Sequence, residues 1–256
     1  MTSARSPAAR LGALVLLVAV LFALLWSRLP LNDPPSYFAF ADQRPLAGLP
    51  HACNVLSNLP FLAVAWAVWR RLGRHPALAW QGSGWLLTAG VALTALGSAW
   101  FHHAPSPATL FWDRLPMALT FSGVLLLLLA DRFDPQLAVR LLLPLPLLAV
   151  ATVCVWRWGG TLRPYLALQF GLMTLVPLVA LRTTGRIRNR AVWQMFLAYG
   201  AAKLLEVFDA AIDGATVHLM AGHALKHLAA AWALWLLVRG LPATEGPTPD
   251  ACQPVP

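Results

Sequence analysis

Eight stretches of the chain are apolar over close to the length that a bilayer demands. A membrane-spanning helix needs ~20 mostly apolar residues, with a range of about 17–25. Such runs fall near residues 11–27, 53–70, 84–102, 114–131, 138–157, 164–182, 191–209 and 220–238. The first and the seventh are the weakest. The seventh carries Lys203 and Glu206, so it should turn those groups toward other helices rather than toward lipid. The pattern predicts an all-α integral membrane protein, with a seven-helix transmembrane core over residues 42–239 and one extra N-terminal helix. Residues 1–41 read as an uncleaved signal anchor followed by an extracytoplasmic linker. A cleaved signal peptide is the other reading, since Arg5 and Arg10 precede a compact apolar run. However, no small-x-small cleavage site follows in LLWSRLPLNDPP. Residues 240–256 are rich in proline, lack an apolar period and predict a disordered tail.

Composition agrees with the pattern. Of 256 residues, 59% are hydrophobic and 11% charged, and the mean hydropathy is +0.64. A soluble domain is about half apolar and a quarter charged, so a water-facing surface has too few charges here. The net charge of +9 comes mostly from arginine. A nucleic-acid binder would gather that charge on one polar face; these arginines lie in short gaps between apolar runs, as topology signals do. One set of gaps holds Arg5 and Arg10, Arg70, Arg71 and Arg74, Arg132 and Arg140, Arg182 to Arg190, and Arg239. The opposite set mixes Arg28, Arg44, Arg114, Arg157 and Arg163 with Asp33, Asp42, Asp113, Asp209 and Asp213. The first set should be cytoplasmic, with both chain ends inside. Cys53, Cys154 and Cys252 show no pairing or CxxC spacing, which argues against a disulfide framework or a thiolate metal site.

On that topology the polar groups converge. Ser98 and His102 end the third run, Asp113 begins the fourth, and His223 and His227 begin the last, all at one depth on the extracytoplasmic side. Residues four apart on a helix share a face, so Ser98 pairs with His102 and His223 with His227. Two histidines at that spacing can hold one metal ion, and His102 would be the third ligand. Three imidazoles with one open position form a catalytic zinc arrangement, which supplies hydroxide at neutral pH. HALKH lacks the glutamate of HExxH, so the general base must come from elsewhere, and Asp113 is the carboxylate at the right level. Ser98 is placed to donate to a developing oxyanion.

Plainer readings accompany each residue. An HxxxH pair also caps helices or meets headgroups. Asp113 and Arg114 together also read as an interfacial salt bridge. Ser98 beside Gly97 also reads as a small-residue packing site. His103 and His218 read as helix-end or interfacial residues, and His75 as a solvated loop residue. Glu206 and Asp209 either orient a histidine or pair with Lys203 or Lys226. His51, Asn54, Ser57 and Asn58 lie at the same mouth, ordering water or substrate or simply packing.

SAWFH (Ser98–His102), DRLPM (Asp113–Met117) and HALKH (His223–His227), in this order, resemble the signature of alkaline ceramidases, within the CREST superfamily of seven-helix membrane hydrolases. NVLSN (Asn54–Asn58) is similar to the polar stretch in that family's first core helix. The resemblance covers roughly residues 42–238. It implies zinc bound by His102, His223 and His227. Asp113 would activate or position the attacking water, and Ser98 would polarise the zinc site or the oxyanion. It also implies a ceramide-like membrane lipid as substrate and placement in a bacterial inner membrane. Animal members carry an acidic calcium site where this chain has LAGLPHACN, with His51 near the expected acid. Calcium control is therefore not carried over, and Asp33 and Asp42 are not assigned to it. CREST relatives include lipid-remodelling enzymes and receptors, so a lipid-ester hydrolase and a non-enzymatic receptor stand beside the amidase reading.

Overall fold

The computed structural model of the chain describes residues 7–182 and 184–242. Arg5, Cys252 and most of the Pro-rich tail lie outside the described residues. Among those described the secondary structure is helical, with no strand; Leu46 and Leu49 form an isolated bridge. The helices are α1 (Pro7–Leu25), α2 (Ala52–Leu56), α3 (Leu59–Leu72), α4 (Leu78–His103), α5 (Pro107–Arg132), α6 (Pro135–Leu141), α7 (Pro144–Gly159), α8 (Arg163–Ala180), α9 (Asn189–Val207), α10 (Asp209–Ala215) and α11 (Gly222–Gly240).

Each apolar run therefore lies on helix, but two are interrupted. The second breaks between α2 and α3, where Pro60 sits in the first turn of α3. The fifth breaks between α6 and α7, where Pro144 starts a new helix. A proline has no N–H to donate and suits a first turn. The start of α5 is built the same way. Ser106 and Thr109 form a reciprocal capping box, with Pro107 at the first helical position. This satisfies amide groups that a helix end leaves without partners.

Five helical spans are long and apolar enough to cross a membrane: Ala52–Leu72, Leu78–His103, Pro107–Arg132, Pro135–Gly159 and Arg163–Ala180. A shorter apolar helix, Gly12–Arg28, precedes them. This is consistent with a multi-pass membrane protein. Helices α9 and α11 fall short of that composition for a visible reason: one carries Lys203 and Glu206, the other His223, Lys226 and His227. Large apolar side chains such as Trp66, Leu147, Leu197 and Trp232 point outward.

Packing runs from α3 to α4, α4 to α5, α5 to α7 and α8, α8 to α9, α9 to α11, and from α11 back to α3. The bundle thus closes on itself, with α1 outside it against α8. The α4–α5 pair is the tightest. A Cβ on Gly97 would fall on the Trp112 carbonyl, and one on Gly123 would lie 3.0 Å from Leu87 backbone atoms. Small residues allow this close approach of two backbones. It brings the end of α4, with Ser98 and His102, against the start of α5, with Asp113.

The segment between α1 and α2 crosses that end of the bundle as a strap. Asp33 accepts two hydrogen bonds from the Arg114 guanidinium, at 2.5 and 2.8 Å, and a third from Trp156 Nε1 at 3.1 Å. The guanidinium carbon lies 4.3, 5.1 and 5.2 Å from the ring centroids of Trp156, Tyr165 and Tyr37. A desolvated guanidinium over aromatic faces gains ~2 kcal/mol per good contact. Arg114 therefore takes its carboxylate from the strap, and Asp113 is not its ion-pair partner. The opposite end is closed by Arg132, which donates to the carbonyls of Ala180 and Ile187 and to Asn189.

Candidate metal centre

His102 ends α4 and is 1% exposed, while His223 and His227 sit in the first two turns of α11 at 7% and 4%. Their rings meet in one cluster, with centroids 4.7 Å (His102–His223), 4.9 Å (His102–His227) and 5.0 Å (His223–His227) apart. One nitrogen from each lies within 4.8 Å of the others. Three buried imidazoles are therefore close enough to bind one metal ion. The i, i+4 spacing in HALKH puts two rings on one face of α11. α4 packs on α2 and α3, which in turn meet α11, and His102 near its end supplies the third ring.

Two observations fit a metal here. First, His102 Nδ1 is buried with no hydrogen-bond partner. Such an orphan costs on the order of 1–3 kcal/mol, and a coordinated cation is the group that offsets this while engaging all three rings. Second, the His227 tautomer is set. Ser57 Oγ donates to the Asn54 carbonyl at 3.0 Å and lies 2.9 Å from His227 Nδ1. Its single proton is used on the carbonyl, so it accepts the Nδ1–H of His227. That leaves Nε2 with a free lone pair, the arrangement metal-binding histidines adopt. Ser57 sits in the α2–α3 break, so the interruption of that span aims the hydroxyl. Ser57→Ala is expected to weaken metal binding by ~10–100-fold, read as a shifted zinc titration of the purified protein.

Asp113 is buried on the part of α5 that α4 approaches most closely, where a Cβ on Gly97 would lie 3.4 Å from the Asp113 amide nitrogen. It is not among the groups close enough to ligate with the three imidazoles. The close approach of α4 and α5 thus brings the two candidate catalytic residues, Ser98 and Asp113, to the same level of the bundle. His103 is exposed and outside the cluster. His218 is exposed and bonds Asp213 at 2.6 Å, and His75 stacks on Trp80 in the α3–α4 connection. His51 starts α2 and has its Nδ1 2.5 Å from the Asp42 carbonyl. Asp42 itself accepts from the first amides of α2, Cys53 and Asn54.

Glu206 pairs with both Lys203 and Lys226. Asp209 supports His223 through the backbone and not through the ring: it accepts the His223 amide at 2.7 Å. Its other oxygen accepts Ala41 N–H of the strap at 3.1 Å. One carboxylate thus ties the strap to the start of α11. This fixes Phe40, whose ring lies 4.6 Å from His102 and 5.0 Å from His223, edge-on to both. Phe40 covers the cluster with hydrocarbon. No spacing rule links it to histidines so distant in sequence, and the run YFAF carried no signal beyond its aromatic content.

An apolar cleft opens between α4, α5, α8, α9 and α11. Its lining includes Thr94, Met117, Phe121, Met173, Ala230 and Leu234. Thr94 is four residues before Ser98, Met117 four after Asp113, and Ala230 three after His227. Those spacings put the cleft on the faces of α4, α5 and α11 that carry Ser98, Asp113 and His227, about one turn along each helix. No family model matches the chain, and neither a curated protein nor a solved structure matches it.

Proposed function

We propose that this protein is a zinc-dependent membrane hydrolase that cleaves the N-acyl bond of ceramide or a similar N-acyl lipid. The observation that carries the reading is three buried imidazoles that meet within reach of one metal ion, on a bundle whose helices α4 and α5 also carry buried Ser98 and Asp113. A Zn²⁺ on three imidazoles supplies a Lewis acid and lowers the pKa of water to about 7, giving a nucleophile at neutral pH. These residues are also those by which the chain resembles alkaline ceramidases.

The chain's own groups divide the remaining work. The cleft takes the acyl chain and sets the scissile amide at the level of His102 and His227. Asp113 accepts a proton from the attacking water and returns it to the departing amine nitrogen. The C–N bond breaks, the new C–O bond remains on the acyl group, and the products are a fatty acid and an amine such as a sphingoid base. Ser98 holds Asp113 in position or donates to the developing oxyanion. Phe40 and the strap exclude bulk water, which strengthens each of these interactions.

In this reading the membrane core has seven helices, with α9 and α11 crossing beside the five more apolar spans. α1 is a signal anchor, and the metal centre faces the extracytoplasmic side of a bacterial inner membrane. The test is hydrolysis of a long-chain ceramide and of a matched ester lipid by purified, metal-analysed protein, before and after a chelator. Chelator-sensitive release of fatty acid from ceramide supports the amidase. Release from the ester alone favours a lipid-ester hydrolase. Metal binding with neither reaction favours a receptor-like protein.

A further inference from the structure

The last turns of α3 and the turn after it read WAVWRRLGRH (Trp66–His75), in a part of the chain with no Asp or Glu between Asp42 and Asp113. α3 begins next to Ser57, which meets His227, and ends about 20 Å further along its axis at ~1.5 Å per residue. The stretch therefore stands at the end of the bundle opposite the metal centre.

Trp66, Trp69, Arg70 and Arg74 line one groove there. Spacings of three and four residues put Trp66, Trp69 and Arg70 on one face of α3, and Arg74 extends that face into the following turn. The face is turned out of the bundle: Trp66 is 58% exposed and both arginines are exposed. Val64, Val68 and Leu72 fill the core from the other side of the helix. The two indole rings pack with centroids 4.9 Å apart, and the Arg70 guanidinium lies 6.0 Å from the Trp66 ring.

Other arginines at this end are taken up by the protein. Arg132 donates to the carbonyls of Ala180 and Ile187, Arg182 lies over Phe133, and Arg188 reaches the Arg239 carbonyl. Arg70 and Arg74 are not: among the described residues neither makes a hydrogen bond or an ion pair. A topology signal needs charge alone. Here two uncompensated charges share a groove with two aromatic rings, at the point where the apolar span Ala52–Leu72 ends. Tryptophan settles at the boundary between hydrocarbon and headgroups. A guanidinium matches phosphate oxygens with its planar fork of donors. Rings on the hydrocarbon side and guanidiniums on the water side follow the order of groups in a phospholipid.

We propose that this groove binds one anionic phospholipid, with its phosphate on Arg70 and Arg74 and its glycerol and upper acyl carbons on Trp66 and Trp69. A zwitterionic lipid carries a cation beside its phosphate, which the two guanidiniums repel, so the groove selects a net negative headgroup. The site shares no residue with the metal centre and stands or falls apart from the hydrolase reading.

The experiment titrates full-length protein in a non-ionic detergent with dioleoyl phosphatidylglycerol and, separately, with dioleoyl phosphatidylcholine. Native mass spectrometry counts the lipids bound per chain. The first phosphatidylglycerol should bind about tenfold more tightly than phosphatidylcholine. An arginine near a membrane surface contributes about fivefold, so Arg70→Gln combined with Arg74→Gln should weaken that first step by about 25-fold and erase the preference. Arg140→Gln combined with Arg190→Gln removes two exposed arginines from the same end and should leave the first step unchanged. Trp66→Leu keeps every charge and should weaken it by about two- to fivefold. All five side chains are exposed, so each variant should unfold at the wild-type temperature. Equal losses in the two arginine variants would show that diffuse charge and not the groove attracts the lipid, and would overturn the site. Equal affinity of wild type for the two lipids, or full binding by Trp66→Leu, would overturn it as well.

Discussion

Replacement of His102 by Ala should strip the metal from the protein and abolish turnover. The ring is one of three imidazoles that meet within 4.8 Å, and it is the only one contributed from α4. Loss of a hydrogen bond supporting a metal-binding histidine weakens binding by ~10–100-fold; loss of a ligand should cost more. After gel filtration in detergent, metal per chain should fall from near stoichiometric to background in His102→Ala, and equally in His223→Ala. Because His102 is packed against Phe40 and Phe101, alanine also opens a cavity. His102→Gln keeps most of the volume and separates the two effects: it should fold like wild type, measured by thermal unfolding, and still lose the metal. Full metal content in all three variants would remove the basis of the site.

Asp113→Asn is expected to do the opposite at the metal and the same to the reaction. The amide keeps the shape of the carboxylate, so folding and metal content should hold. It cannot take up a proton, and general-base catalysis is worth ~10²–10⁴-fold. Turnover should fall by that factor with KM little changed. Ser98→Ala should cost less, because Asp113 remains present though less firmly oriented. Unchanged hydrolysis by Asp113→Asn would mean that another group carries the proton.

What the sequence made legible follows from how local each signal is. The apolar runs marked every long helix, because a bilayer-length run is a local property. Where the runs failed, proline explains the break: Pro60 and Pro144 each restart a helix that hydropathy alone had joined. The start of α4 at Leu78 lies several residues before the run beginning near 84, because Gln81, Gly82 and Ser83 dilute the apolar pattern without breaking the helix. The clustering of His102 with His223 and His227 was readable because i, i+4 spacing and shared depth are arithmetic on the chain. Glu206 was left between two lysines and takes both. Contacts that depend on tertiary geometry were not readable. Asp33 meets Arg114 across 81 positions, and Ala41 meets Asp209 across 168. The pairing of Asp113 with Arg114, adjacent in sequence, was the natural guess, yet it is Asp33 that neutralises Arg114.

The strap bears on where the working unit begins. A boundary drawn between residues 41 and 42 follows the change from apolar anchor to polytopic core, but it passes between Phe40 and Asp42. A protein trimmed to start at Asp42 would still contain every histidine, serine and aspartate of the cluster. It would also leave the Arg114 guanidinium among Trp156 and Tyr165 with no carboxylate, and would take the hydrocarbon ceiling off His102 and His223. The first helix is separable by its composition; the stretch from Asp33 to Ala41 is part of the wall around the three histidines.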